Sequence, residues 1–239
     1  QPGLNAGAGL TMGMTVAVFL MAWIAMMVAM MFPTAAPMIL MFATVSAGQK
    51  QRSQPSVPTW IFVSGYLLVW VAFGALAYGV AVAADTLLTH STWAPNNATR
   101  VSAGLLVLAG VSHLSPLKSL CLSKCRSPLS FIMTSWRDGR GGALRMGLEH
   151  GLYCLGCCWL LFAILFPIGI MHIGAMVALT LLIFAEKSLP IGPLIGRVAG
   201  AALIVYGSLV FFVPPALPGM TMLSGLRGRF GLRWNSPGR

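Results

Sequence analysis

Long apolar runs broken by short polar stretches set the pattern of this chain. The first runs from about Thr11 to Val45, contains Pro33 and Pro37, and exceeds the roughly 20 residues that cross about 30 Å of hydrocarbon as a helix. It predicts a crossing helix over 11–45 that bends or ends near Phe32 and resumes as a second short segment. Trp60 to Ala84 carries no charge and predicts a second crossing over 60–84, while Val101 to Val111 forms the apolar centre of a third over 98–114. A fourth is expected over 143–166 and, after the Pro167/Gly169 turn, a fifth over 171–186 that closes on Glu186-Lys187. The sixth occupies 194–213, between Pro190/Pro193 and the Pro214, Pro215, Pro218 stop.

The pattern reads as all-α: one transmembrane helical domain over 1–213, a polytopic bundle of about six spanning helices, followed by a basic tail over 214–239. The chain opens at Gln1 with no initiating Met and no recognisable signal peptide, which leaves room for one more crossing upstream. The longest polar connection, 115–142, carries Lys118, Lys124, Arg126, Arg137 and Arg140. Its apolar piece Leu129 to Trp136 is too short to span and is expected to lie on the interface, as is Trp93 in the Asp85 to Arg100 loop. The positive-inside trend puts Lys50/Arg52, the 115–142 loop and Lys187 on the cytoplasmic side; with six crossings the arginines of the tail then break that trend.

Composition decides what surrounds these helices. With 57% hydrophobic and only 8% charged residues, the chain cannot cover a surface with water-loving groups, so its solvent is the lipid bilayer of a multi-pass protein, expected in a bacterial inner membrane. The formal charge of +11 comes from 15 Lys and Arg against four acidic residues. These basic residues sit between apolar segments, where anionic lipid accounts for them without nucleic acid.

Candidate chemistry concentrates on sulfur. All five cysteines lie in the middle of the chain, an odd, clustered set unlike a secreted disulfide framework. In the run from His150 to Trp159, a 100° step per residue puts His150, Cys154 and Cys157 within about 60° of one helical face, with Cys158 at its edge. Imidazole and thiolates on one face suit a soft metal ion; free cysteines packing as small hydrophobes is the structural alternative. Cys121 and Cys125, four apart, share a face of a second helix, among Lys118, Lys124 and Arg126, whose charge favours thiolates. Either these two meet the cysteines of the fourth helix in a shared site, or they form a disulfide or two unrelated thiols.

Two further groups carry weaker signals. Met26 and Met30 share a face of the first helix with Trp23, Pro33 and Pro37, a soft surface along which Cu(I) can pass or simply flexible core filling. His172, Met176 and Glu186 lie on one side of the fifth helix, but His172 and Glu186 are about 21 Å apart along its axis and cannot ligate one ion. The plainer reading makes His172 a turn residue and Glu186-Lys187 a cytoplasmic boundary pair. No phosphate loop, His-Glu-x-x-His, Gly-x-Ser-x-Gly or haem-attachment motif is present, so enzyme activity is uncertain and not the favoured class.

Three motifs together resemble a known family. They are Trp23-x-x-Met26-x-x-x-Met30-Met31-x-Pro33, then Leu117-Lys118-x-x-Cys121-Leu122-x-x-Cys125-Arg126-Ser127-Pro128, then Gly147-x-x-His150-Gly151-x-Tyr153-Cys154-x-Gly156-Cys157-Cys158-Trp159, with Glu186-Lys187 beyond. Over about residues 14–190 the chain resembles the predicted metal-binding integral membrane proteins of domain-of-unknown-function family 2182. The resemblance implies a polytopic protein, often with an additional N-terminal crossing, and a metal role without an assigned activity. His172 stands where that family usually has Asn, so it gains no ligand role.

The sequence thus predicts a metal set of His150, Cys154, Cys157, Cys158, Cys121 and Cys125, with Met26 and Met30 on a path. The metal is expected to be a copper ion, with a zinc ion as the alternative. Metal handling or delivery is the expected task, toward a membrane metalloenzyme or complex as partner. Two other readings stand beside it: an accessory subunit of a larger membrane assembly, and a membrane thiol-disulfide exchange protein.

Overall fold

In a computed structural model of the chain, residues 14–51, 56–89, 93–168 and 173–212 are described, and all of their regular structure is helical. Eight helices are present among them: α1 (Val16–Gln51), α2 (Thr59–Thr89), α3 (Trp93–Leu114), α4 (Pro116–Arg126), α5 (Pro128–Ser135), α6 (Gly139–Ile168), α7 (Ile173–Ser188) and α8 (Gly192–Phe212). The basic tail over 214–239, His172 and His90 lie outside the described residues, as does the side chain of Trp93.

Four helices, α1, α2, α6 and α8, are long and apolar enough to cross a membrane, and α3 with α4, bent by 64° at Ser115, counts as a fifth if the pair is one span. This is fewer than the six expected. The shortfall lies in α3, which counts only together with α4, and in α7, whose 16 described residues reach only about 24 Å at 1.5 Å per residue, less than the hydrocarbon thickness. The outward residues agree with an apolar surrounding: Met21 and Leu40 on α1, Leu76 and Val80 on α2, and Val198 and Val205 on α8 are all exposed.

Pro33 and Pro37 do not split the first helix, which runs unbroken through both. Each proline removes one backbone donor, a loss that packed apolar helices tolerate. The hydroxyl of Thr34 folds back onto the carbonyl of Met31 at 2.9 Å, so the helix keeps its own polar atoms occupied.

The stretch expected as a loop over 115–142 instead contains α4 and α5, for local reasons. Ser115 caps α4 by accepting from the Lys118 amide, Pro116 occupies the first turn, and Pro128 opens α5 in the same way. Gly139, with φ 78, then takes a left-handed conformation that lets the chain turn into α6.

Packing pairs α2 with α6, α3 with α8 and α1 with α2, and α4 lies along α6. The α2–α6 approach is backbone to backbone: a Cβ on Gly147 would strike the Phe62 carbonyl, and one on Gly65 the Leu144 carbonyl. At the α1–α2 contact the Trp23 indole donates to the Trp70 carbonyl at 3.0 Å. The main core gathers Phe19, Trp23, Met26, Met30, Tyr66 and Trp70 around the inward face of α6. A smaller core joins Phe42, Phe62, Phe131 and Met146 at the α5 end.

Candidate metal centre

The site is built outward from one turn of α6. Cys154, Cys157 and Cys158 follow at helical spacings and all are buried, because this face of α6 points into the main core. Cys157 Sγ lies 3.2 Å from Cys158 Sγ and donates to the Cys154 carbonyl at 3.2 Å. Cys154 also lies within electrostatic reach of the Cys157 thiol.

The fourth sulfur comes from another helix. Cys125, on the last turn of α4, lies within electrostatic reach of Cys157. Gly156 makes room for its companion: Cys121 Sγ stands 3.0 Å from where a Cβ of Gly156 would be, so any side chain there would press on that thiol. All five cysteines are free thiols, and no Cys121–Cys125 disulfide forms. Cys121 and Cys125 are half-buried and the three α6 cysteines buried, so the thiols run from the α4 edge into the core.

His150 is on the predicted face, one turn before Cys154, but its surroundings are aromatic. Its ring stacks on Phe62 and Tyr66 at 6.1 and 5.7 Å and meets the edge of Phe131 at 5.6 Å. It is 2% exposed, and its Nδ1 has no hydrogen-bond partner. Met26 and Met30 are buried in the same core as the α6 cysteines. Glu149 turns away from the site and pairs with Arg145 and Arg137 at 3.2 and 3.4 Å.

The positive charge at the sulfurs is not one the sequence indicated. Of the three basic residues expected to favour thiolates, Lys118 is bound to Glu186 at 2.9 Å, Arg126 donates to the carbonyls of Leu189 and Pro190, and Lys124 is exposed. Lys187 of α7 takes that place: it is 7% exposed, and its Nζ donates to Cys154 Sγ at 3.0 Å. Tyr66 of α2 adds a hydroxyl 3.2 Å from the same sulfur. Glu186 and Lys187 are therefore both buried, and Lys187 stands against the α6 sulfurs. The signal available in the sequence was two adjacent charges closing an apolar segment, together with their place in the family resemblance.

Glu186 faces the other way, toward α3 and α4. Both of its oxygens lie within 3.0 Å of Lys118 Nζ, and His113 Nε2 stands 3.4 Å from Oε1. Lys118 Nζ also lies 2.7 Å from His113 Nδ1; an ammonium can only donate, so Nδ1 accepts and the imidazole proton is on Nε2, which is near Glu186 Oε1 but makes no hydrogen bond.

Among the described residues, no three His, Cys, Asp or Glu side chains already stand in a metal-ligand arrangement. Cys157 and Cys158 stand at thiol–thiol contact, 3.2 Å apart, whereas a tetrahedral ion with bonds of about 2.3 Å needs sulfurs about 3.8 Å apart. The donor chemistry is soft.

No curated protein and no solved structure matches the chain. A family model described as "PpoB2: Copper chaperone" does match, over residues 20–210, a span that holds all five cysteines, Glu186 and Lys187. On that match over most of its length, the chain belongs to the PpoB2 copper chaperone family.

Proposed function

We propose that this protein is a multi-pass inner-membrane copper handler that receives Cu(I) on the thiols of α4 and α6 and passes it to a membrane metalloenzyme. The observation that carries this reading is the clustering of buried Cys154, Cys157 and Cys158 on one turn of α6, with Cys125 of α4 within electrostatic reach, in a chain from a copper chaperone family. Copper is cargo here. Two thiols that take up one Cu(I) release two protons and leave a dithiolate, and Cu(I) then moves by exchanging one sulfur at a time.

The half-buried Cys121 and Cys125 are the entry side, and Cys157 and Cys154 hold the ion. Cys158 is the spare donor for exchange, with Met26 and Met30 offering thioethers from α1. His150 lies a turn below, with a free ring nitrogen for an ion moving along α6. Soft thiols favour Cu(I), while Zn(II) is the competitor that Cys-rich sites also accept.

The test is metal content and affinity. The detergent-purified chain, kept reduced, is titrated with Cu(I) against a chromophoric Cu(I) chelator. Wild type is expected to hold close to one copper per chain, and Cys154→Ser and Cys157→Ser each to bind it at least tenfold more weakly. Protein that leaves all copper with the chelator, or serine variants that bind as tightly as wild type, would end this reading.

A further inference from the structure

Lys187 is an anomaly among the buried charges. An ammonium removed from water needs a counter-charge, and removing one partner of a buried pair is far more costly than the pair itself. Its neighbour Glu186 is already engaged by Lys118 and approached by His113. Glu149 is held by two arginines, and Asp138 accepts from the Trp136 indole. Among the described residues no carboxylate forms an ion pair with Lys187. What surrounds it is sulfur: Cys154 in contact, with Cys125, Cys157 and Cys158 within electrostatic reach.

We infer that Lys187 is the fixed counter-cation of the copper site, a positioning residue that does not bind the metal and whose charge lets a buried dithiolate hold monovalent copper without net charge. The inference rests on the copper-handling reading above. One Cu(I) with two thiolates carries one negative charge, and the ammonium on Cys154 cancels it. Without the ammonium, a low-dielectric pocket holds an uncompensated anion. The same accounting gives Lys187 a role that a copper ligand cannot fill, since an ammonium has no lone pair to offer.

The experiment is the same chelator competition with Cu(I), applied to Lys187→Met, Lys187→Gln and Lys187→Arg. The neutral variants are expected to lose about a hundredfold in Cu(I) affinity, and Lys187→Arg, which keeps the charge, to stay within about threefold of wild type. Two neutral variants are used so that one that fails to fold leaves the other to decide. A purely structural role would not move the second readout: in Lys187→Met/Cys154→Ser the two losses should combine to less than their product, because removing a thiolate and its counter-charge together restores the balance.

If wild type binds Cu(I) and the neutral variants bind equally well, or the arginine variant falls as far as they do, the counter-cation role is overturned while copper handling stands. Independent losses that multiply in the double variant overturn it as well. If wild type itself takes no Cu(I), both readings fall together.

Discussion

Glu186 and Lys187 are consecutive, equally buried, and opposite in the company they keep. Glu186 sits in a closed set in which the two charges answer each other: both of its oxygens are on Lys118, whose ammonium also donates to His113 Nδ1. Gly196 of α8 seals that set, since a Cβ there would come within 3.1 Å of Glu186 Oε1. Lys187 sits in an open set, with thiols in contact with one another and a cation whose only carboxylate neighbour in sequence is already taken. The comparison separates two uses of buried charge in one helix end. A fully paired cluster fixes helices in place, and an incompletely neutralised one is what the proposed copper ion would complete.

The largest effect should come from breaking the closed set. Glu186→Gln leaves the Lys118 ammonium buried without a carboxylate and is expected to cost about 3–5 kcal/mol, read as a lowered thermal midpoint in detergent. Its folded fraction should still bind Cu(I), in contrast to the neutral variants of Lys187, whose midpoint should change less than their copper affinity. A Glu186→Gln protein that is as stable as wild type would remove the distinction between the two sets.

Next comes the centre of the open set. Cys157 touches Cys158 and lies within electrostatic reach of Cys125, so Cys157→Ser should lower Cu(I) affinity by more than the roughly 10–100-fold typical of losing an outer partner of a metal ligand. Chelator competition reads this directly, and a loss below tenfold would move the centre of the site elsewhere.

Two finer changes sharpen the picture. Tyr66→Phe removes the hydroxyl 3.2 Å from Cys154 Sγ and should cost about 1 kcal/mol, close to fivefold in Cu(I) affinity, without changing the copper stoichiometry. Gly156→Ala presses a methyl onto Cys121 Sγ and should push that thiol outward. The expected result is faster alkylation of Cys121 by iodoacetamide, followed by peptide mass analysis, with the stability little changed. Unchanged labelling would mean that α4 yields as a whole and does not pass the pressure to one side chain.

Much of this arrangement was legible along the chain. The 3.6-residue period placed His150, Cys154 and Cys157 on one face of α6, and that face is buried. The period could not tell that His150 would be enclosed by Phe62, Tyr66 and Phe131, because those rings arrive from α2 and α5. The prolines of α1 were a misleading signal: proline weakens a helix locally, yet packing on both sides carries α1 through them. The basic residues of α4 misled in a similar way. Charge near sulfur in sequence is not charge near sulfur in space: Lys118 goes to Glu186 and Arg126 to the carbonyls of the α7–α8 turn.

The sequence by itself determined that the chain is helical and apolar enough to traverse a membrane, and that its reactive donors are soft, since hydrophobic runs and residue types act within a single segment. Only the tertiary structure decided that Cys125 would reach Cys157 across two helices, that Lys187 would turn to Cys154, and that Glu186 would be neutralised from α4. The physical reason is that a helix fixes the angles between its own side chains. The approach of one helix to another is set by where a Cβ is missing, as at Gly65, Gly147, Gly156 and Gly196, and by which buried charges can be paired.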